Sequence, residues 1–322
     1  MRRHTVYLLA LLLISSAALG QNLKLEKSIP FSDAEAVQFT AISPKGSFLA
    51  AACKDGRVRL WSYPALELKE TFDLVDERIA GLWFSRDGSL LAAAGKRGRI
   101  RIWSLPSGKM KVELSAGADI NALAISPDLS MLAVAPAERP AQLWDLRLGK
   151  VAGSLPTNFS GSLALDFSPD GKWLASADAD TGIRIYDSQS GAPRASNSDF
   201  LLETFAAAFS TDSRYLYVGG ADKTISEIDT LTGKVVRSLP KQSFVVRMLE
   251  TSPDGKSLAA AYADEHSFDN PAPVMVWDLA TQAVRTTVLQ PGFTTNGGGF
   301  LPDGRLLLTS NGAGKLEVWS VK

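Results

Sequence analysis

Two carboxylates and one loop hold the residues best suited to chemistry in this chain. Asp166 and Glu250 each stand two positions before a Ser-Pro-Asp-Gly turn, in a slot that related segments fill with Ala41, Trp83, Ala124, Ala208 and Gly299. A carboxylate pair can bind a cation or divide the work of an acid and a base, but buried carboxylates usually find partners, so the pair reads first as a hydrated or hydrogen-bonded wall between blades. The stretch from Tyr262 to Pro273 gathers Asp264, Glu265, His266, Asp269 and Asn270, which offer oxygen and imidazole ligands to a divalent ion. Phe268 in the same stretch offers an aromatic anchor to a protein partner. Surface loops also tolerate insertion cheaply, so the stretch reads equally as plain extra length. Against catalysis stands the scarcity of histidine. Only His4 and His266 occur, so a Ser-His-Asp mechanism would rest on His266. Nucleophile-elbow, zincin and phosphate-loop motifs are missing.

The elements that position these residues follow from a repeat. Turns begin at Ser43, Ser85, Ser126, Ser168, Ser210, Ser252 and Leu301, at intervals of 42, 41, 42, 42, 42 and 49 residues. A β-rich run after each turn ends in Trp61, Trp103, Trp144, Tyr186, Ile228, Trp277 or Trp319. Proline presets φ for such a turn, aspartate bonds nearby backbone, and glycine supplies positive φ. Between turns the pattern alternates apolar and polar, as in Ile183-Arg-Ile-Tyr-Asp187, the period of a half-buried strand. Each repeat has room for four short antiparallel strands. One such sheet cannot bury both of its faces, whereas a radial array buries each face on a neighbour. The expected fold class is therefore all-β: a seven-bladed β-propeller of four-stranded antiparallel blades. The last repeat stops too soon for a fourth strand, and Leu23 to Ile29 alternates suitably, so the N-terminal strand is expected to complete the last blade and close the ring.

Residues 1–20 read as a signal peptide. Arg2 and Arg3 precede an apolar run from Val6 to Ile14 and a small-residue stretch ending at Gly20. The run is short for a membrane span. The expected organisation is thus a signal peptide over 1–20 and the propeller over 21–322, exported to a periplasm or secreted, with no stable membrane span after cleavage. Cys53, the single cysteine, lies in an apolar run and reads as a small buried hydrophobe. Lys and Arg total 34 and so do Asp and Glu, with no basic stripe, which argues against nucleic acid as a partner.

The repeats resemble WD-repeat β-propellers. Trp144-Asp145 and Trp277-Asp278 carry the dipeptide for which that family is named, and Ser168 to Gly171 and Ser252 to Gly255 match its first turn. The family's Gly-His before the innermost strand occurs nowhere, so its Asp–His–Ser–Trp network is not expected. The resemblance implies a scaffold that binds partners on its top rim, where the residues entering the innermost strands sit. Here these are Gln38, Phe39, Asn121, Phe205, Arg247 and Asn296. Aromatics and arginine are the types enriched at binding hot spots. The functional expectation is an exported, non-enzymatic scaffold for a protein or peptide partner, needing no cofactor, with contacts from this rim and from Glu265, His266 and Phe268. The alternative is a lactonase- or lyase-like propeller enzyme with a channel-bound metal on Asp166, Glu250, Asp264 and Asp269.

Overall fold

The computed structural model describes residues 23–30, 37–74, 79–95, 97–137, 139–156, 161–179, 182–200, 202–264, 273–288, 295–312 and 315–321. Among them are 28 strands and no helix long and apolar enough to cross a membrane. The first strand, β1 (Leu23–Pro30), precedes all the blades. Blade one is β2 (Val37–Ile42), β3 (Phe48–Cys53), β4 (Arg57–Ser62) and β5 (Leu68–Asp73). Blade two is β6 (Ile79–Phe84), β7 (Leu90–Gly95), β8 (Arg99–Ser104) and β9 (Lys109–Ser115). Blade three is β10 (Ile120–Ile125), β11 (Met131–Pro136), β12 (Gln142–Asp145) and β13 (Lys150–Ser154). Blade four is β14 (Ser162–Phe167), β15 (Trp173–Asp178), β16 (Ile183–Asp187) and β17 (Pro193–Asn197). Blade five is β18 (Thr204–Phe209), β19 (Tyr215–Gly220), β20 (Ile225–Asp229) and β21 (Val235–Ser238). Blade six is β22 (Val245–Thr251), β23 (Ser257–Ala263), β24 (Val274–Asp278) and β25 (Val284–Val288). The chain ends in β26 (Thr295–Phe300), β27 (Leu306–Gly312) and β28 (Lys315–Val321).

Counted as runs of four consecutive strands, the molecule has six blades, not seven, and the expectation of seven repeats needs that correction. The remaining four-stranded sheet has no continuous run behind it. It is assembled from both regions of the chain, in the order β1-β28-β27-β26. Three strands at the chain's end are one short of the four that bury both faces, and β1 supplies the fourth. It runs antiparallel to β28, from Leu23 opposite Val321 to Pro30 opposite Lys315. Ser320 donates to Glu26 Oε1 at 2.6 Å, which holds that carboxyl below its ordinary pKa. Lys27 Nζ reaches across to the carbonyls of Ala65 and Leu66 in blade one, both at 3.1 Å. Thus β1 grips both sides of the joint. The innermost strands then pack in a closed circuit, β2 on β6, β6 on β10, and so on to β22 on β26 and β26 back on β2.

The middle strands hold the core. All of β7 and β11 is buried, while β5 is exposed at every position but Phe72. Each apolar cluster spans two blades. Val58, Leu60 and Phe72 of blade one pack with Leu82, Leu91 and Trp103 of blade two, and the Phe72 and Trp103 rings stack with centroids 4.7 Å apart. The strand-end residues Trp61, Trp103, Trp144, Tyr186, Ile228 and Trp277 are buried packing residues of this kind.

The turn chemistry explains the repeat. In five turns the leading serine donates to the aspartate two residues on, at 2.6–2.7 Å. The same Oγ accepts the backbone N–H at the start of the next strand, as from Leu90 and Ser257 at 2.9 Å. The fourth position takes positive φ, supplied by glycine in most turns but by Leu129 and Ser213 in two. Cys53 is buried.

Candidate functional site

These turns mark the lower end of the channel, and the opposite ends of the innermost strands form its upper mouth. At the upper end all seven innermost strands make the same irregularity. Register shifts lie between Val37 and Phe39, Ile79 and Gly81, Ile120 and Ala122, Ser162 and Ala164, Thr204 and Ala206, Val246 and Met248, and Thr295 and Gly297. A bulge leaves one residue out of the ladder and re-aims its side chain. The seven residues so released are Gln38, Ala80, Asn121, Leu163, Phe205, Arg247 and Asn296. All seven stand five positions before their turns, and five of them, Gln38, Asn121, Phe205, Arg247 and Asn296, are rim residues expected from the family resemblance.

The structure brings part of this set together. Asn121, Phe205 and Arg247 line one cavity of about 200 Å³ with Trp83 and Met248, over a wall that includes Leu123, Leu165 and Leu249. The Arg247 guanidinium lies over the Phe205 ring, its central carbon 4.0 Å from the ring centroid. Burial pulls Arg247 below its ordinary pKa, and the Glu203 carboxylate pulls it back up. Asn121 is exposed. Phe39, the residue after the blade-one bulge, is 38% exposed, whereas Ala122, Ala164 and Ala206 hold the equivalent positions in blades three to five. Gln38 is half-buried, and its Oε1 has no hydrogen-bond partner among the described residues. Asn296 holds the bulge position of β26. Glu265, His266, Phe268 and Asp269 lie outside the described residues.

Trp83 is the member of this mouth that the rim pattern misses. It stands in the lower slot by sequence count, yet its side chain lines the upper cavity. A Cβ on Gly81 would meet the Trp83 ring at 2.3 Å, so the bare glycine two residues earlier makes room for the indole to lie upward. That Gly-x-Trp spacing is the signal that could have found it.

At the lower end Asp166 and Glu250 line a second cavity, of about 610 Å³, with Arg86, Thr211, Thr251 and Phe300 among its walls. Each carboxylate has a backbone duty. Asp166 Oδ2 accepts the Phe209 N–H of the next blade at 2.9 Å, and Glu250 Oε1 accepts the Phe300 N–H of the blade after its own at 3.0 Å. Thr251 Oγ1 donates to the Phe209 carbonyl at 3.0 Å, completing a stitch from blade four through five and six to β26. These are edge groups of innermost strands, which no further strand pairs. Gly299 leaves space for this, since a Cβ there would lie 3.4 Å from both Glu250 oxygens. Burial pushes Asp166 up to about 6 against the pull of the Phe209 N–H and of Arg86. Burial pushes Glu250 up to about 7 against the Phe300 N–H, and the Asp166 charge adds to the rise.

Of the residues of the metal reading, Asp166 and Glu250 share this cavity, Asp264 lies apart from them, and Asp269 lies outside the described residues. Glu250 pairs with Ala259, while Asp264 follows Ala263 at the upper end of β23. That is five residues along the strand, about 16 Å at the usual rise. Among the described residues no group of three or more His, Cys, Asp or Glu could hold a metal ion.

The family model of the WD domain, G-beta repeat, matches residues 29–62, 71–104 and 149–187. Each match ends one residue after a strand-end aromatic, Trp61, Trp103 or Tyr186. No curated protein matches the chain.

Proposed function

From a chain that carries WD repeats in three places on a β-propeller frame, we propose an exported, non-catalytic scaffold that holds a protein or peptide partner across the upper mouth of its channel. The observation that carries this reading is the ring of bulge residues, in which Asn121, Phe205 and Arg247 converge with Trp83 on one cavity. Asn121 is exposed at this cavity, and an arginine and two aromatics are the types that dominate binding energy. WD repeats in general mediate protein interactions, and the lower carboxylates already serve backbone groups. Export rests on the reading of residues 1–20 as a signal peptide.

Cross-linking capture from the exported fraction of the source cells tests the proposal. One variant carries Phe39→Ala, Asn121→Ala and Phe205→Ala. A control carries Leu148→Ser and Leu231→Ser, which change the exposed leucines of two lower-end turns, 69% and 64% exposed. Capture should be lost with the first variant and kept with the second. The reverse pattern overturns the assignment to the upper mouth.

A further inference from the structure

The seven repeats build their lower turns from three recurring slots. A small or apolar residue stands two positions before the turn, a large apolar residue one position before it, and a proline at its second position. Five residues depart from these slots by being polar: Asp166 and Glu250 in the first, Thr251 in the second, and Arg86 and Thr211 in the third. They come from blades two, four, five and six, yet all five line the cavity of about 610 Å³ at the lower end of the channel. The stitch between blades explains part of this convergence. It uses one oxygen of each carboxylate and the hydroxyl proton of Thr251, and it involves neither Arg86 nor Thr211. Nor does it exhaust the acceptors. An ionised carboxylate has about four lone-pair positions and a hydroxyl two. Asp166 gives a further position to the Phe167 N–H and Glu250 accepts the Phe300 N–H, so both keep capacity without losing a backbone partner. The volume falls within the roughly 300–1,000 Å³ of small-molecule sites.

Charge selects the ligand. The charged groups of this wall are Asp166, Glu250 and Arg86. Arg86 already acts on Asp166 and offsets one of the two negative charges, which leaves an excess of one. Among the described residues no third carboxylate, imidazole or thiolate joins the pair, so it falls short of the oxygen shell of a divalent metal. Hydrocarbon from Leu165, Leu249 and Phe300 stands in the same wall. We propose that the lower end of the channel binds a small organic ammonium ion, a site separate from the upper mouth and independent of it. The ammonium N–H groups are shared between the Asp166 and Glu250 carboxylates, with threonine hydroxyls as further acceptors, and the alkyl stem lies on the apolar wall. Charge-assisted hydrogen bonds of this kind are the strong ones, and apolar surroundings strengthen them further. Burial makes both carboxylates hold their protons to about pH 6 and 7, so a bound cation replaces a proton that the free protein retains.

The test is a calorimetric titration of the protein with n-butylammonium chloride at pH 8, beside n-butanol, sodium butyrate and potassium chloride. Butylammonium should bind saturably, the neutral and anionic analogues should not, and an equal concentration of potassium should not displace it. Asp166→Asn and Glu250→Gln each keep an oxygen for the backbone N–H and remove the charge; circular dichroism verifies their fold. Each should weaken binding by about tenfold, the cost of one charge-assisted contact. Arg86→Gln removes the offsetting charge and should tighten binding several-fold, an effect opposite to that of general damage. Binding should also weaken at least tenfold from pH 8 to pH 5.5, as protons compete for the two carboxylates beside the constant charge of Arg86. No saturable binding of butylammonium at pH 8 overturns the proposal, as does binding that both carboxylate variants retain in full. Weaker binding in Arg86→Gln overturns the charge argument on which the proposal stands. Displacement by equal potassium makes the site one for inorganic cations and overturns the organic assignment.

Discussion

At the upper mouth Phe205 and Arg247 stand at bulges of β18 and β22, out of the ladder and stacked on each other. At the lower end of β14 and β22, Asp166 and Glu250 stand in register, opposite Ala175 and Ala259, and each accepts an N–H from a neighbouring blade. The strand β22 thus contributes to both ends within a few residues and spends its polar side chains differently at each. In register, a polar side chain beside an unpaired strand edge becomes part of the frame. At a bulge, it stands outside the ladder. The lesson is that polarity near a channel axis does not mark a site by itself; the backbone's unpaired groups must be accounted for first.

The comparison exists only while the ring is closed, so the largest effect should come from opening it. Removing residues 22–30 deletes β1, its pairing with β28 and the Lys27 bridge to blade one. The loss of a whole strand ladder exceeds several kcal/mol, and Tm should fall by about ten degrees or more. Calorimetry on the shortened chain checks this. An unchanged Tm would mean that β26 to β28 stand without their fourth strand, and that both ends of the channel survive an open joint.

A smaller effect should separate the lower end from the rest of the molecule by its pH dependence. Asp166 and Glu250 titrate near 6 and 7 when folded, above their ordinary values of 3.8 and 4.5. Between about pH 4 and 7 the folded state therefore binds more protons than the unfolded one, and stability falls as pH rises through that window. The turn aspartates act in the opposite sense. Asp128, Asp212 and Asp254 are held below their ordinary value, first by hydrogen bonds from Ser126, Ser210 and Ser252. Their contribution is complete above about pH 4 and lost as pH falls below it. Stability should peak at about pH 4, where the two opposing trends meet. Glu250→Gln keeps an oxygen for the Phe300 N–H but removes the titration. It should raise stability at pH 8 by on the order of 1–2 kcal/mol, allowing for water in the cavity, and should flatten the alkaline limb. Denaturant titrations at pH 5 and pH 8 read this directly. An identical limb in the variant would assign the pH dependence to other groups.

Much of the fold was legible because turn chemistry is local. Serine, aspartate and a positive-φ residue within a few positions are enough to specify each lower turn, and their recurrence marks off the strands. The bulge residues were legible for a related reason: they lie at a constant distance from those turns. The lower carboxylates were legible as a hydrogen-bonded wall between blades, but their partners were not, because that of Asp166 lies 43 residues away and that of Glu250 50 residues away. No local pattern encodes an unpaired N–H on a neighbouring sheet. Trp83 packs as its type suggests, but the direction of its side chain was not legible, because it depends on the vacancy at Gly81 rather than on its own slot. Leu129 and Ser213, in turn positions that favour glycine, show that the pattern tolerates departures where neighbouring contacts hold the turn.

The smallest effect should be the most telling. Arg247 stacks on Phe205 at the mouth, and such a half-exposed cation–π contact contributes about 0.5–1 kcal/mol. Its partial burial works against that gain, because desolvation disfavours the charge. Arg247→Gln should therefore change stability by no more than about 0.5 kcal/mol in either direction, within the usual range for a surface substitution. Glu250→Gln, three residues along the same strand, should move the pH profile while leaving capture of a partner unchanged. The pair forms a crossed test on one strand: one variant alters capture with little change in stability, and the other alters stability with no change in capture. If Arg247→Gln destabilised the protein by several kcal/mol, the guanidinium would be part of the frame, as the carboxylates below it are. The distinction between a bulged position and an in-register one would then fail at the residue on which it depends most.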